Sequence, residues 1–144
     1  MPDPVSGTWL AFDHGDRRIG VAVGEALTGG GRALITLSAR AGQPDWEEVG
    51  RLLAEWRPQG VVVGLPLHAD GSDSESTRAA RKFAQRLHGR YGLRVELVDE
   101  RLSSHEAAAR LSERRGRPTR RPGALDSEAA RVILETWFSQ QGCA

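Results

Sequence analysis

Three places in the chain set a carboxylate against the end of a predicted element. Asp13 closes the unbroken apolar run Trp9 to Phe12, the pair Asp99 and Glu100 closes the run Leu93 to Val98, and Asp126 falls in the first turn of a predicted last helix. Carboxylates that converge repel one another unless they share protons or bind a cation. Hard oxygen donors without His or Cys partners suit Mg²⁺ or Mn²⁺. Two such ions about 3.5–4 Å apart activate a water and stabilise the leaving oxygen in phosphodiester hydrolysis. Each acid alone also has an ordinary explanation: Asp13 as a turn former beside Gly15, Asp126 as a partner of the helix dipole. Strand alternation sends Asp99 and Glu100 to opposite faces and does not itself choose between them. The histidines at 14, 68, 88 and 105 are scattered and make no metal-ligating pattern.

The elements that would position these acids are legible in order. Trp9–Phe12 and Ile19–Val23 read as a hairpin turned at Gly15, and Ala33–Leu37 as a third strand, which together make an antiparallel meander. Asp45, with Glu48 three residues on, opens a helix whose apolar face is Val49, Leu52, Leu53 and Trp56, and Arg57-Pro58 ends it. Gly60–Leu67 reads as a strand covered on both faces. Ser72 with Glu75 signals a helix to about His88, on which Arg78, Arg81, Lys82, Arg86 and Arg90 lie mainly outside the apolar stripe; a solvated face is the favoured reading of these cations and a nucleic-acid surface the alternative. After the strand Leu93–Val98, Ser103 with Glu106 signals a helix to about Arg114, and a last helix spans Leu125–Phe138. Strands alternating with helices imply parallel pairing, so the expected fold is α/β with a five-stranded mixed sheet: three antiparallel strands, then two parallel ones, with helices on both faces.

Composition bounds the rest. The 144 residues suit one domain over 1–144, with residues 1–7 as a flexible tail and 115–124 as a flexible basic loop. One cysteine, Cys143, excludes a disulfide framework and a Cys-based zinc site. Neither a signal peptide nor a membrane-length apolar run is visible, so the expected location is the cytoplasm, away from membranes. A net charge of +1 does not argue for nucleic acid, but five arginines fall between Arg114 and Arg121. Such a segment can hold a phosphate backbone with little sequence preference.

Four segments together carry a more specific signal: Phe12-Asp-His-Gly-Asp-Arg-Arg-Ile-Gly-Val-Ala, Val62-Val-Gly-Leu-Pro-Leu-His-Ala-Asp-Gly-Ser, Val98-Asp-Glu-Arg-Leu-Ser-Ser-His-Glu-Ala and Leu125-Asp-Ser-Glu-Ala-Ala. They resemble the YqgF-type family of Holliday-junction resolvase-like, or pre-16S rRNA, nucleases, in that family's order from Trp9 to Trp137. The resemblance implies a ribonuclease H-like fold and a metal-dependent nuclease. It selects Asp13, Glu100 and Asp126 as the catalytic and metal-binding acids, with Mg²⁺ or Mn²⁺ as cofactor. It further implies structural roles for Gly15, Gly20, Gly64, Pro66 and Gly71, with Asp70 in the same motif. Arg18, Arg101 and Ser104 are the implied substrate-binding positions, to which the charge of the connector adds Arg117, Arg120 and Arg121. His14 stands where the family would be expected to carry a Tyr or similar residue, and packing is its expected role.

The expected function is therefore an endonuclease processing the 5′ end of precursor 16S rRNA, with structured RNA and a pre-ribosomal particle as partners. A Holliday-junction resolvase acting on branched DNA is the alternative within the same chemistry. Such an enzyme cuts two strands symmetrically and needs a two-fold dimer, whereas the sequence leaves monomer and homodimer open. A non-catalytic nucleic-acid-binding factor is the alternative from another class. It would keep the fold and the arginines and have no need of the three acids.

Overall fold

In a computed structural model, described over residues 5–102 and 124–143, the chain forms one six-stranded sheet with helices on both faces. The strands are β1 (Thr8–Asp13), β2 (Arg18–Glu25), β3 (Gly30–Arg40), β4 (Gln43–Pro44), β5 (Gly60–Leu65) and β6 (Arg94–Asp99). The helices are α1 (Trp46–Trp56), α2 (Glu75–Tyr91) and α3 (Ala124–Gln140), and a single 3₁₀ turn, Glu100–Leu102, follows β6. Sheet order is β4-β3-β2-β1-β5-β6. The first four strands pair antiparallel, and β1, β5 and β6 run parallel. The mixed sheet covered on both faces is the expected architecture, with six strands in place of five. The extra strand arises because β3 runs on to Arg40 and turns back through Ala41 (φ 51°) and Gly42 (φ 79°). Two successive positive φ values make the two-residue turn that matches strand twist. The polar residues of β3 beyond Thr36 hide this extension from a hydrophobicity reading.

The two faces of the sheet are built differently. Leu10, Phe12, Ile19, Val21, Val23, Val61, Val63 and Leu65 form one face, packed against Val49, Leu52 and Leu53 of α1 and Ala80, Phe83, Ala84 and Leu87 of α2. The alternate residues face α3 and are small along β2 and β5: Gly20, Ala22 and Gly24, then Gly60, Val62 and Gly64. Against them α3 buries Ile133, Leu134, Trp137 and Phe138, with Trp9 and Ala11 beneath. Small residues let this helix lie close to the sheet, and that closeness places its first turn.

The caps follow the expected logic with one displacement. Asp45 caps α1 by accepting from the Glu47 N–H at 3.0 Å, and among the described residues Glu48 makes no reciprocal bond. α2 starts at Ser74, not Ser72. Ser74 accepts from the Thr77 N–H, and the Thr77 hydroxyl accepts from the Ser74 N–H. Ser72 is already engaged, since its N–H and hydroxyl both donate to Asp70 Oδ1 at 2.9 and 2.6 Å. Residues 5–7, read from the sequence as part of a tail, are held: Val5 packs on the α3 core, Ser6 accepts from the Trp9 indole, and Gly7 accepts from Ala26 N–H. The expected helix from Ser103 and most of the expected basic loop lie outside the described residues. Among the described residues no helix is long and apolar enough to cross a membrane.

Candidate active site

The end of β1 is the centre of the sheet, with β2 on one side and β5 on the other. Asp13, its last residue, pairs in register with Gly20, and Gly64 follows the β5 residue paired with Phe12. Asp13 thus stands on the α3 face between two glycines. Both glycines are required by what lies above them. A β-carbon at position 20 would overlap the Asp126 carbonyl. One at position 64 would lie 2.8 Å from Glu100 Oε1 and 2.6 Å from Ile133 Cδ1. Gly20 therefore admits the first turn of α3, and Gly64 admits the Glu100 side chain.

The three acids selected by the sequence motifs are brought to this spot. Asp13 is hydrogen-bonded to Glu100, and Asp126 is near enough to repel it. Burial, then the charge and hydrogen bond of Glu100, then the charge of Asp126 push the Asp13 carboxyl up to about 8. Burial also raises Glu100, the hydrogen bond from Asp13 opposes that rise, and the neighbouring charge of Asp99 adds to it. One proton shared between Asp13 and Glu100 satisfies both directions. Such a pair at neutral pH is costly to ionise without a counter-cation. Among the described residues no three His, Cys, Asp or Glu side chains already converge on one ion-sized point. Asp126 acts on Asp13 through charge.

The contacts at the end of β6 distinguish the two neighbouring acids. Asp99 turns away from Asp13 and is gripped by Arg101, whose Nη2 lies 2.6 Å from Asp99 Oδ2. That ion pair and its hydrogen bonds hold the Asp99 carboxyl below its ordinary value. Arg101, expected to meet substrate, also donates to the Ala69 carbonyl at 3.2 Å and lies over Gly71, whose φ of +89° needs no side chain. It ties the loop after β5 to the end of β6. Arg18 is exposed at the start of β2, two residues before Gly20, the strand partner of Asp13. Ser104, Arg117, Arg120 and Arg121 lie outside the described residues.

The remaining motif positions are architectural. A β-carbon on Gly15 would stand 2.6 Å from the Arg18 carbonyl, which is the tightness of the β1–β2 turn. Pro66 presents its carbonyl to the hydroxyls of Thr77 (2.5 Å) and Ser74 (3.1 Å), anchoring α2 to the end of β5. His14 packs on Phe83, ring centroids 5.0 Å apart, and donates through Nε2 to the Gly42 carbonyl at 2.9 Å. Both contacts are the packing expected of it. Sequence reading missed the α3 network in which buried Glu128 pairs with Arg131 and Arg131 with Glu135 (2.5 Å), while Glu135 also accepts from the Gly31 N–H. Its signal was the i, i+3 and i, i+4 charge spacing.

A curled mixed sheet with one carboxylate ending its central strand β1, another just past the parallel edge strand β6 and a third in the first turn of the helix that crosses it is an arrangement of the ribonuclease H-like fold class. Two solved structures share the fold. The T. thermophilus RuvC in complex with a Holliday junction substrate superposes at TM-score 0.57 with 19% identity, over 94% of this chain and 96% of that one. The Thermus thermophilus RuvC structure gives 0.53 with 17% identity, over 95% and 98%. The chain belongs to the RuvX family, described as Holliday junction resolvase, whose model matches residues 7–140; this is the YqgF-type family indicated by the four sequence motifs. It is 53% identical over 134 residues to a protein of Pectobacterium atrosepticum named "Putative pre-16S rRNA nuclease", covering 93% of this chain and 96% of that protein. A Serratia proteamaculans protein of the same name is 52% identical over the same span.

Proposed function

We propose that the protein is a metal-dependent endonuclease acting on the 5′ end of precursor 16S rRNA in the cytoplasm, within or beside a pre-ribosomal particle. The observation that carries this reading is the buried Asp13–Glu100 pair with Asp126 against it, at the end of the central strand. The name of these two relatives supports the RNA substrate. Asp13, Glu100 and Asp126 would hold Mg²⁺ or Mn²⁺, because three oxygen donors with a shared proton to lose form a hard, anionic ligand set. Bound there, divalent ions supply an activated water and a charge on the leaving oxygen. The chain's own contribution is geometric. Gly20 and Gly64 set the separation of the acids, burial excludes bulk water, and Arg18 stands at the open side for a substrate phosphate.

The family description favours a second substrate, the four-way DNA junction. The deciding experiment sets a precursor 16S rRNA 5′ fragment beside a four-way junction, each with Mg²⁺ or Mn²⁺, and uses Asp13→Asn as control. RNA cleavage that falls on the order of 10³-fold or more in the variant is expected. Cleavage of the junction alone would assign the resolvase role. Tight binding with no cleavage of either would leave a nucleic-acid-binding factor.

A further inference from the structure

On the opposite face of the sheet from the carboxylates, a cavity of about 430 Å³ opens between α2 and the turns after β1 and β3. Its lining includes Arg78, Lys82 and Arg86 from α2, His14 and Asp16 from the turn after β1, and Gly42 from the turn between β3 and β4. The three cations follow an i, i+4, i+8 row, so they stand on one side of the helix with a rise of about 6 Å between neighbours. Among the described residues none of the three has an ion-pair or hydrogen-bond partner, and their basic neighbours differ. Arg81 is paired with Asp73 at 3.0 Å, and the Arg90 guanidinium lies 4.4 Å from the Trp46 ring centroid. The helix thus commits its other arginines to structure and leaves this row to the cavity.

The walls are fixed. Gly42 N–H donates to the Asp16 carbonyl at 2.9 Å, Ala39 N–H to the Arg17 carbonyl at 2.8 Å, and the His14 ring lies against Phe83. Asp16 and Glu75 also line the cavity and offer acceptors, leaving the site cationic by one charge. Its volume lies within the range of about 300–1,000 Å³ usual for ligand pockets. A cationic row along one wall and a ring opposite it, here the single imidazole of His14, are the two elements that hold unpaired nucleotides, by phosphate contact and by stacking. The location gives this a purpose. Asp13 and His14 are consecutive, with Cα atoms about 3.8 Å apart, and alternation sends their side chains to opposite faces. A strand that enters the cavity and passes over the β1–β2 turn reaches the carboxylates directly.

We propose that this cavity is a second nucleic-acid site, which takes an unpaired nucleotide flanking the scissile bond, with its phosphates on Arg78, Lys82 and Arg86 and its base against His14. The proposal rests on the nuclease reading for its purpose, and its test is independent of cleavage. Binding of a fluorescent single-stranded RNA oligonucleotide is measured by anisotropy across a salt series, in Asp13→Asn protein with and without Arg78→Gln, Lys82→Gln and Arg86→Gln together. Arg51→Gln, Arg57→Gln and Arg90→Gln form the charge-matched control, and thermal melts verify that both triple variants fold. The expected result is an affinity loss of tenfold or more with a salt slope shallower by about 2, as three single-strand phosphate contacts require. The control triple leaves the slope unchanged, and unlabelled single strand competes better than the duplex of the same sequence. Equal slopes in the two triples, or better competition by duplex, would overturn the proposal. With Asp13 restored, the groove triple raises KM with little change in kcat. If the wild type cuts nothing while the groove-dependent slope persists, the nuclease reading fails and the site stands.

Discussion

Two glycines decide whether the acids can meet, and they do so by different contacts. Gly20→Ala would press a methyl group into the backbone of α3 at Asp126, and backbone cannot swing aside. The expected cost is at the upper end of overpacking, about 3 kcal/mol or more, read as a lowered midpoint in urea. Gly64→Ala meets side-chain atoms of Glu100 and Ile133, which can turn away. Its stability loss should be nearer 1 kcal/mol, while cleavage falls at least tenfold because Glu100 is displaced from Asp13. Equal effects of the two substitutions on stability would contradict this account. At this scale the sequence was informative: acids at element ends and glycines at motif positions were visible as residue types. Which contact each glycine relieves was not, because Gly20 touches a residue more than a hundred positions away. The role of Arg101 was hidden for a similar reason, since pairing with Asp99 depends on the 3₁₀ turn after β6.

At the scale of elements, strands and helices followed apolar period, and the disagreements lay at ends. The α2 cap moved from Ser72 to Ser74 because Asp70 engages Ser72 first, a local competition that a spacing rule does not weigh. β4 escaped notice because two residues carry no period. α1 ends where Arg57-Pro58 predicts, with Arg57 at φ 45° donating its N–H to the Leu53 carbonyl. A left-handed cap disfavours a side chain, so Arg57→Gly should raise stability by about 0.5–1 kcal/mol. Chemical denaturation at constant salt checks the sign, and a loss would mean that the Arg57 side chain has a packing role.

For the whole molecule, the shared proton of Asp13 and Glu100 links folding to pH. The Asp13 carboxyl is raised from its ordinary 3.8 to about 8, so the folded state binds this proton more tightly than the unfolded chain does. The stability it contributes is complete below about pH 4 and is lost as pH rises through about 8. Metal-free protein should therefore melt at a lower temperature at pH 9 than at pH 6, each kcal/mol moving the midpoint by roughly 3–5 °C. Asp13→Asn should flatten that dependence, because an amide has no proton to lose. Mn²⁺ should restore more stability at pH 9 than at pH 6, since it replaces the proton at the same carboxylates. Calorimetry of both proteins at the two pH values measures all three effects.

The four tryptophans divide by face. Trp46 and Trp56 bound α1, whereas Trp9 on β1 and Trp137 on α3 meet with ring centroids 4.4 Å apart, inclined at 42°. Two indoles so close couple their electronic transitions, and the resulting near-ultraviolet dichroism exists only while α3 is seated on the sheet. Because α3 also carries Asp126, that optical band reports whether the third carboxylate is in place. Replacing Trp46 and Trp56 with Phe would leave a protein whose own dichroism follows the seating of Asp126 beside Asp13, with no label attached.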